Sequence, residues 1–245
     1  MSNNSDVLVL IPNFNHAKYL VDSIESALKQ TYACDILVVD DGSTDNSEEV
    51  IKSFGNKIQS IFKENRGPGH TRNTGVRWAL SHNYKYIQLL DADDGMYPDK
   101  VELLRAVLEE NYNKSDLYPV GISYDDYMHL YNLRNDIQIL AVEFKRSATP
   151  ELLWQNNLIH CNCMVHSDVF KNTQLAPNVY FDETMRVAQD YDFWLRATQK
   201  YIAWHYPEAL SFVREGENNT AAPIQGKIRE SCMITLRNRN AGAYA

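Results

Sequence analysis

"DILVVDDGSTDNSEEVIKSF", residues 35–54, sets the reading of the whole chain. Ile36 to Val39 form a short apolar run, the mark of a strand buried on both faces. Asp40 and Asp41 end it, and Gly42 permits a tight turn. The following "STDNSEEVIKSF" predicts a helix with several capping candidates, including Asp45 with Glu48 three residues on. A buried strand that turns at once into a helix is one βα unit.

The same unit recurs on both sides. "VLVLI" (7–11) is ended by Pro12, after which Leu20, Val21, Ile24, Ala27 and Leu28 share one helical face. "KIQSIF" (57–62) precedes a helix over "PGHTRNTGVRWALSH" (68–82), opened by Pro68. "YKYIQLL" (84–90) runs into "DADD" (91–94), and "PDKVELLRAVLEEN" (98–111) predicts another helix. Strands alternating with helices predict an α/β fold with a Rossmann-like, mainly parallel sheet flanked by helices. In such sheets ligands sit beyond the carboxyl ends of the strands, where Asp40, Asp41 and the Asp91–Asp94 cluster fall.

Beyond about residue 115 the pattern loosens. "LYPVGISYDDYMHLYN" and "DIQILAVEF" predict antiparallel strands, and "PELLWQNN" and "QDYDFWLRATQK" predict helices. No linker or repeat separates the halves. One domain over 1–245 is expected: a half over about 1–112, a more irregular half over about 113–222 that completes a cleft, and a C-terminal tail or helix over about 223–245.

Composition narrows the classes. A net charge of −8 opposes binding to nucleic acid, and a negatively charged substrate would need a metal or a few placed cations. No apolar run reaches the ~18 residues of a membrane span, and the N-terminus lacks the basic region of a signal peptide. Four cysteines are too few for a disulfide framework, so a reducing cytoplasm is expected. The bases of "KIRESCMITLRNRN" (227–240) leave peripheral contact with a membrane surface open. Cys161 and Cys163 in "HCNCMVH" are spaced unlike a structural zinc site, and a buried strand is the expected reading.

Four constellations carry chemistry, each with a plainer alternative. Asp91, Asp93 and Asp94 repel one another by roughly 4 kcal/mol per close pair at an effective dielectric of 20. They form either a solvated turn capping the next helix or a seat for Mg²⁺ or Mn²⁺, which favour one or two carboxylates plus substrate phosphates. Asp40 and Asp41 either cap a turn or accept from a base N–H. "ENRGPGHTRNTG" (64–75) is either a loop or a phosphate cradle of backbone amides with Arg66 and Arg72 near. In "VAQDYDFWLRAT" (187–198), Asp192 pairs with Arg196 at i, i+4, while Asp190 is free to face a cleft as a base.

In order, "LIPNFN", "ILVVDDGSTDNS", "NRGPGHTRNTG", "LLDADDGMYPD" and "QDYDFWLR" resemble the family-2 glycosyltransferases of the GT-A fold. The match is dense over 7 to about 110, sparse to about 220, and absent beyond. The resemblance implies inverting transfer of a sugar from a nucleotide-sugar donor, usually a UDP-sugar, with Mg²⁺ or Mn²⁺, to a glycan, lipid-linked or protein acceptor. Carried over by position, it implies Pro12, Phe14 and Asp41 at the base and Arg72 near the base or phosphates. It places Asp93 at the ribose or a metal-bound water and Asp94 on the metal, with Asp91 either structural or one layer behind the metal ligands. Asp190 matches the catalytic base. Two departures stand out: Gln189 replaces the usual Glu before that base, and Glu215 in "FVREGENNTA" (212–221) replaces a usual His. Arg214 is still placed to reach the phosphates, and His160 is either structural or on the acceptor side.

Competing readings are a transferase-like nucleotide-sugar or glycan binding module without activity, and a sugar-phosphate nucleotidyltransferase. The second would want a Gly-rich basic loop after the first strand, where this chain has "PNFN".

Overall fold

The computed structural model describes residues 5–114, 118–133, 136–143 and 159–215. The helix expected over "PELLWQNN" and the C-terminal tail or helix lie outside the described residues. One nine-stranded sheet organises the chain, in the order β3-β2-β1-β4-β8-β6-β9-β5 with β7 paired to β6.

Its first part follows the sequence closely. Strands β1 (Val7–Asn13), β2 (Asp35–Asp40), β3 (Gln59–Phe62) and β4 (Tyr86–Leu89) are parallel. Val7 to Ile11 are wholly buried, as a strand covered on both faces must be. Helices α1 (Ala17–Leu28), α2 (Ser47–Ser53), α3 (Pro68–Ser81) and α4 (Lys100–Asn111) supply the cover. On α1, Leu20, Ile24 and Ala27 face the core, whereas Val21 and Leu28 are exposed, so the apolar face is narrower than its sequence suggests. Asp45 does not form the expected capping box with Glu48. One of its oxygens accepts from the Ser47 amide at 3.0 Å and the other from the Ala17 amide at 2.9 Å, tying α2 to the start of α1.

The second part is built differently. Strand β6 (Val120–Leu133) is antiparallel to β7 (Asp136–Glu143) and β8 (Met164–His166) but parallel to β9 (Ile202–Glu215). Short α5 (Ser167–Asn172) follows β8, and α6 (Gln189–Ala197) packs its aromatic side chains into the core. The expected Asp192–Arg196 pair is present, with 2.9 and 3.0 Å contacts, and Arg196 also donates to the Tyr180 carbonyl at 2.6 Å. Residues 212–215 are the end of β9, where β5 (Gly95–Met96) pairs with Phe212 and β6 pairs with 212–215.

The halves meet at β4–β8 and at β5–β9. Gln88 is opposite Met164, and Gly95 is opposite Phe212. The loop from Asp91 to Asp94 is thereby held between a β8-side segment and the end of β9.

Candidate active site

The carboxyl ends of β2 and β4, on either side of β1, bring two groups of acids to one edge. Asp40 is opposite Asn13, and its carboxylate accepts from Asn13 Nδ2 at 2.6 Å and from the Ser43 amide and hydroxyl at 2.9 and 2.7 Å. It is a turn-forming residue, consistent with Gly42 beside it at a φ of 71°. Asp41 turns the other way. It accepts from the Arg66 amide at 2.9 Å and the Gly67 amide at 2.8 Å, and pairs with Lys63. Asp41 thus fixes the loop that enters α3, and Lys63 is a partner the motif gave no hint of.

Arg72 lies beneath this edge, not on it. Its buried guanidinium donates to Asp91 at 2.6 Å and approaches Cys161 Sγ at 3.3 Å. Burial alone would weaken its charge, but Cys161, Asp91 and Asp190 around it more than offset that. Asp190, the second residue of α6, therefore lies near enough for its charge to interact with the guanidinium that Asp91 binds. Burial raises the pKa of Asp190 above the usual carboxylate range, with Arg72 opposing and Asp91 adding to the rise. Gln189 is buried beside it, and its Oε1 has no hydrogen-bond partner among the described residues. The strand ends and α6, far apart in sequence, converge here.

Asp91 is neutralised by Arg72, whereas Asp93 and Asp94 lie in no ion pair among the described residues. Asp94 Oδ1 accepts from the Arg214 amide at 2.9 Å, and Oδ2 accepts from Asn162 Nδ2 at 2.7 Å. Burial, then Asp93 and Asp91, push the pKa of Asp94 well above the ordinary value; burial and then Asp91 raise that of Asp93. Two crowded, unneutralised carboxylates are a donor set suited to a hard cation, which takes its remaining ligands from waters and phosphates. Among the described residues no three His, Cys, Asp or Glu side chains gather to hold an ion unaided. Such a site needs substrate oxygens to complete it.

The other expected residues are placed as follows. Phe14 is exposed just past β1, after the half-buried Pro12. Arg214 Nε donates to the Asp93 carbonyl at 3.1 Å, NH2 pairs with Asp22 at 3.1 Å, and the guanidinium covers the Tyr19 ring at 4.5 Å. His160 turns inward: its Nε2 is 3.1 and 3.2 Å from the Asp125 carbonyl and carboxylate, and its ring lies against Tyr127. Asp125 in turn pairs with the wholly buried Lys100 at 2.8 Å. That pair went unread in the sequence because Lys100 sits on an otherwise ordinary amphipathic helix.

The chain matches the model of Glycosyl transferase family 2 over residues 8–173. The chain belongs to that family. An uncharacterized glycosyltransferase of Rickettsia prowazekii (strain Madrid E) is 34% identical over 194 residues, covering 78% of this chain and 58% of its own. Among solved structures, S. aureus TarS 1–349 in complex with UDP-GlcNAc superimposes with a TM-score of 0.66 at 18% identity, covering 87% of this chain and 59% of that one. The mannosyltransferase PcManGT of Pyrobaculum calidifontis, in complex with GDP-Man and Mn²⁺, gives 0.61 at 18% identity, covering 92% and 61%. The chain therefore spans about three-fifths of the length of these relatives. The likeness establishes the GT-A fold of the family for this chain, including the mixed strands β5 to β9 that the sequence left irregular. Among the described residues no helix is long and apolar enough to cross a membrane.

Proposed function

We propose that the chain moves a sugar from a nucleotide-diphosphate sugar, UDP-linked by preference, to an acceptor hydroxyl with inversion. The observation that carries this reading is the placement of Asp190 and the aspartate loop around one buried guanidinium, that of Arg72. In this reading the base and the aspartate loop serve one bound donor and its acceptor. The relatives crystallised with UDP-GlcNAc and with GDP-Man support the donor class.

In this reading the base stacks near Pro12 and Phe14. Asp41 has about four acceptor sites and spends three on Lys63, Arg66 and Gly67, which leaves about one for a base N–H. Asp93 serves the ribose side and Asp94 a divalent cation, with Arg214 anchoring both. When bound, Mg²⁺ or Mn²⁺ would offset the charge that builds on the leaving diphosphate. Asp190 takes the proton from the acceptor hydroxyl as its oxygen attacks the anomeric carbon. The bond from that carbon to the diphosphate oxygen breaks, and the nucleoside diphosphate departs with the electron pair. The raised pKa of Asp190 suits a base, since it binds a proton more tightly than an ordinary carboxylate.

Asp190→Asn keeps the shape of the side chain and removes the base. Its donor turnover should fall about 10²- to 10⁴-fold while nucleotide binding persists. Unchanged turnover would remove Asp190 from the mechanism. Absence of turnover in the unmodified protein, with nucleotide-sugar binding intact, would favour a binding module.

A further inference from the structure

Asn162 is 1% exposed and every polar atom it has is engaged. Its side-chain oxygen accepts from the Asp91 amide at 2.9 Å, and its side-chain nitrogen donates to Asp94 Oδ2 at 2.7 Å. These two bonds fix which way the amide points, since a flip would set N–H against N–H and oxygen against oxygen. The backbone is held as firmly. The Asn162 carbonyl accepts from Lys100 Nζ at 2.5 Å and Gln88 Nε2 at 3.1 Å, and its amide donates to His160 Nδ1 at 3.2 Å. Lys100 and His160 are both bound to Asp125, whose other oxygen accepts from Ser211 Oγ at 2.8 Å and the Leu210 amide at 3.2 Å.

One side chain thus grips the first and last members of the aspartate loop, and a buried ionic frame grips that side chain. We propose that Asn162 is a positioning residue for cation binding, one that sets the angle of the Asp94 carboxylate and the width of the Asp91–Asp94 loop. The proposal rests on the reading of Asp94 as a cation ligand. With one N–H from Asn162 and one from Arg214, each Asp94 oxygen keeps a lone pair for an ion, and the carboxylate cannot rotate away from it. Outer partners of this kind typically change metal affinity by 10–100-fold when lost. Lys100, Asp125 and His160 act one step further back, as the frame.

The test is Mn²⁺ binding in the presence of UDP, followed by the paramagnetic resonance signal of free Mn²⁺, alongside UDP binding in EDTA. Asn162→Ala should raise the Mn²⁺ dissociation constant at least tenfold while metal-free UDP binding stays within twofold. Ser123→Ala removes a buried hydrogen bond to the Leu104 carbonyl away from the site and should change neither. If Asn162→Ala does not fold, Asn162→Ser carries the test with a severalfold loss. Mn²⁺ affinity equal to that of the unmodified protein overturns the positioning role, and so does an equal loss in both measurements, which would mark general damage. Failure of the unmodified protein to bind Mn²⁺ with UDP overturns the cation reading itself, and Asn162 with it.

Discussion

Strands β1 and β6 belong to one sheet, yet their interiors differ in kind. Val7 to Ile11 of β1 are wholly buried and wholly apolar, whereas β6 buries Ser123, Asp125 and Asp126 just as completely. The first half of the fold is held by non-directional burial, with its chemistry confined to the strand ends. The second half buries acids in its core: Asp125, paired with Lys100 of α4, Asp126 beside His205, and Asp192, paired with Arg196. An apolar scaffold tolerates adjustment, while a buried polar network has few acceptable geometries. The directional contacts of the second half also reach into the first, where Asn162 and the Arg214 amide both donate to Asp94.

The comparison breaks or holds most visibly at Lys100. Lys100→Met leaves Asp125 buried with only neutral donors and His160, and should cost about 3–5 kcal/mol by denaturant unfolding. Adding Asp125→Asn should recover part of that loss, because the unpaired charge goes with it. A cost under 1 kcal/mol for Lys100→Met alone would show that the second half, too, is held mainly by apolar burial.

The same contrast explains what could be read from sequence. "VLVLI", "ILVVD" and "YKYIQLL" announce their strands because every residue in them except Lys85 is buried, so composition carries most of the signal. Beyond residue 115, a run such as "SYDDYMHLYN" mixes buried aspartates with aromatics, and neither period nor polarity distinguishes Asp125, wholly buried, from a surface acid. Ser211 and Phe212 carry no legible strand signal, because their pairing with β5 depends on two residues, Gly95 and Met96, too short a strand to leave a pattern. In the site, Asp41, Asp91, Asp93, Asp94 and Asp190 stood out by charge and position at element ends. Asn162, Lys63 and Lys100 did not, because their roles depend on partners 22 to 111 residues away.

A pH scan probes the seam between the halves. His166 ends β8 and stacks on Tyr112, and burial lowers its pKa from 6.5 to about 4. Because the folded value lies below the unfolded one, the unfolded chain binds more protons between them. The contribution of this residue to stability is complete above about 6.5 and is lost as pH falls toward 4. The loss is on the order of 3 kcal/mol. His166→Asn keeps a side-chain oxygen to accept from the Asp168 amide, as Nδ1 now does at 3.2 Å. It should flatten the fall in melting temperature over that window, and an unchanged slope would place the acid sensitivity elsewhere.

A smaller effect is expected where β5 meets β9. A Cβ on Gly95 would lie 1.9 Å from Cζ of Phe212, so Gly95→Ala forces the ring aside. The cost should be about 1–3 kcal/mol, and Phe212→Leu in the same chain should relieve most of it. Without that relief, the strain is in the backbone of the aspartate loop and not in the ring, which would tie β9 to that loop more tightly than Phe212 alone does.

The least effect is expected at Asp22, although it forms an ion pair across the two halves. Its side chain is 60% exposed, and exposed pairs contribute about 0–1 kcal/mol and weaken with salt. Arg214 is held more firmly by what does not depend on Asp22: its amide on Asp94, its Nε on the Asp93 carbonyl and its face on Tyr19. Asp22→Asn should therefore lower the unfolding free energy by less than about 0.5 kcal/mol, a difference that vanishes in high salt. Tyr19→Leu, which removes the ring beneath the guanidinium, should cost about 0.5–2 kcal/mol. If the order is reversed, charge pairing and not stacking joins α1 to the end of β9. The rule that buried, directional contacts set the geometry of the second half would then fail at the point where it borders the first.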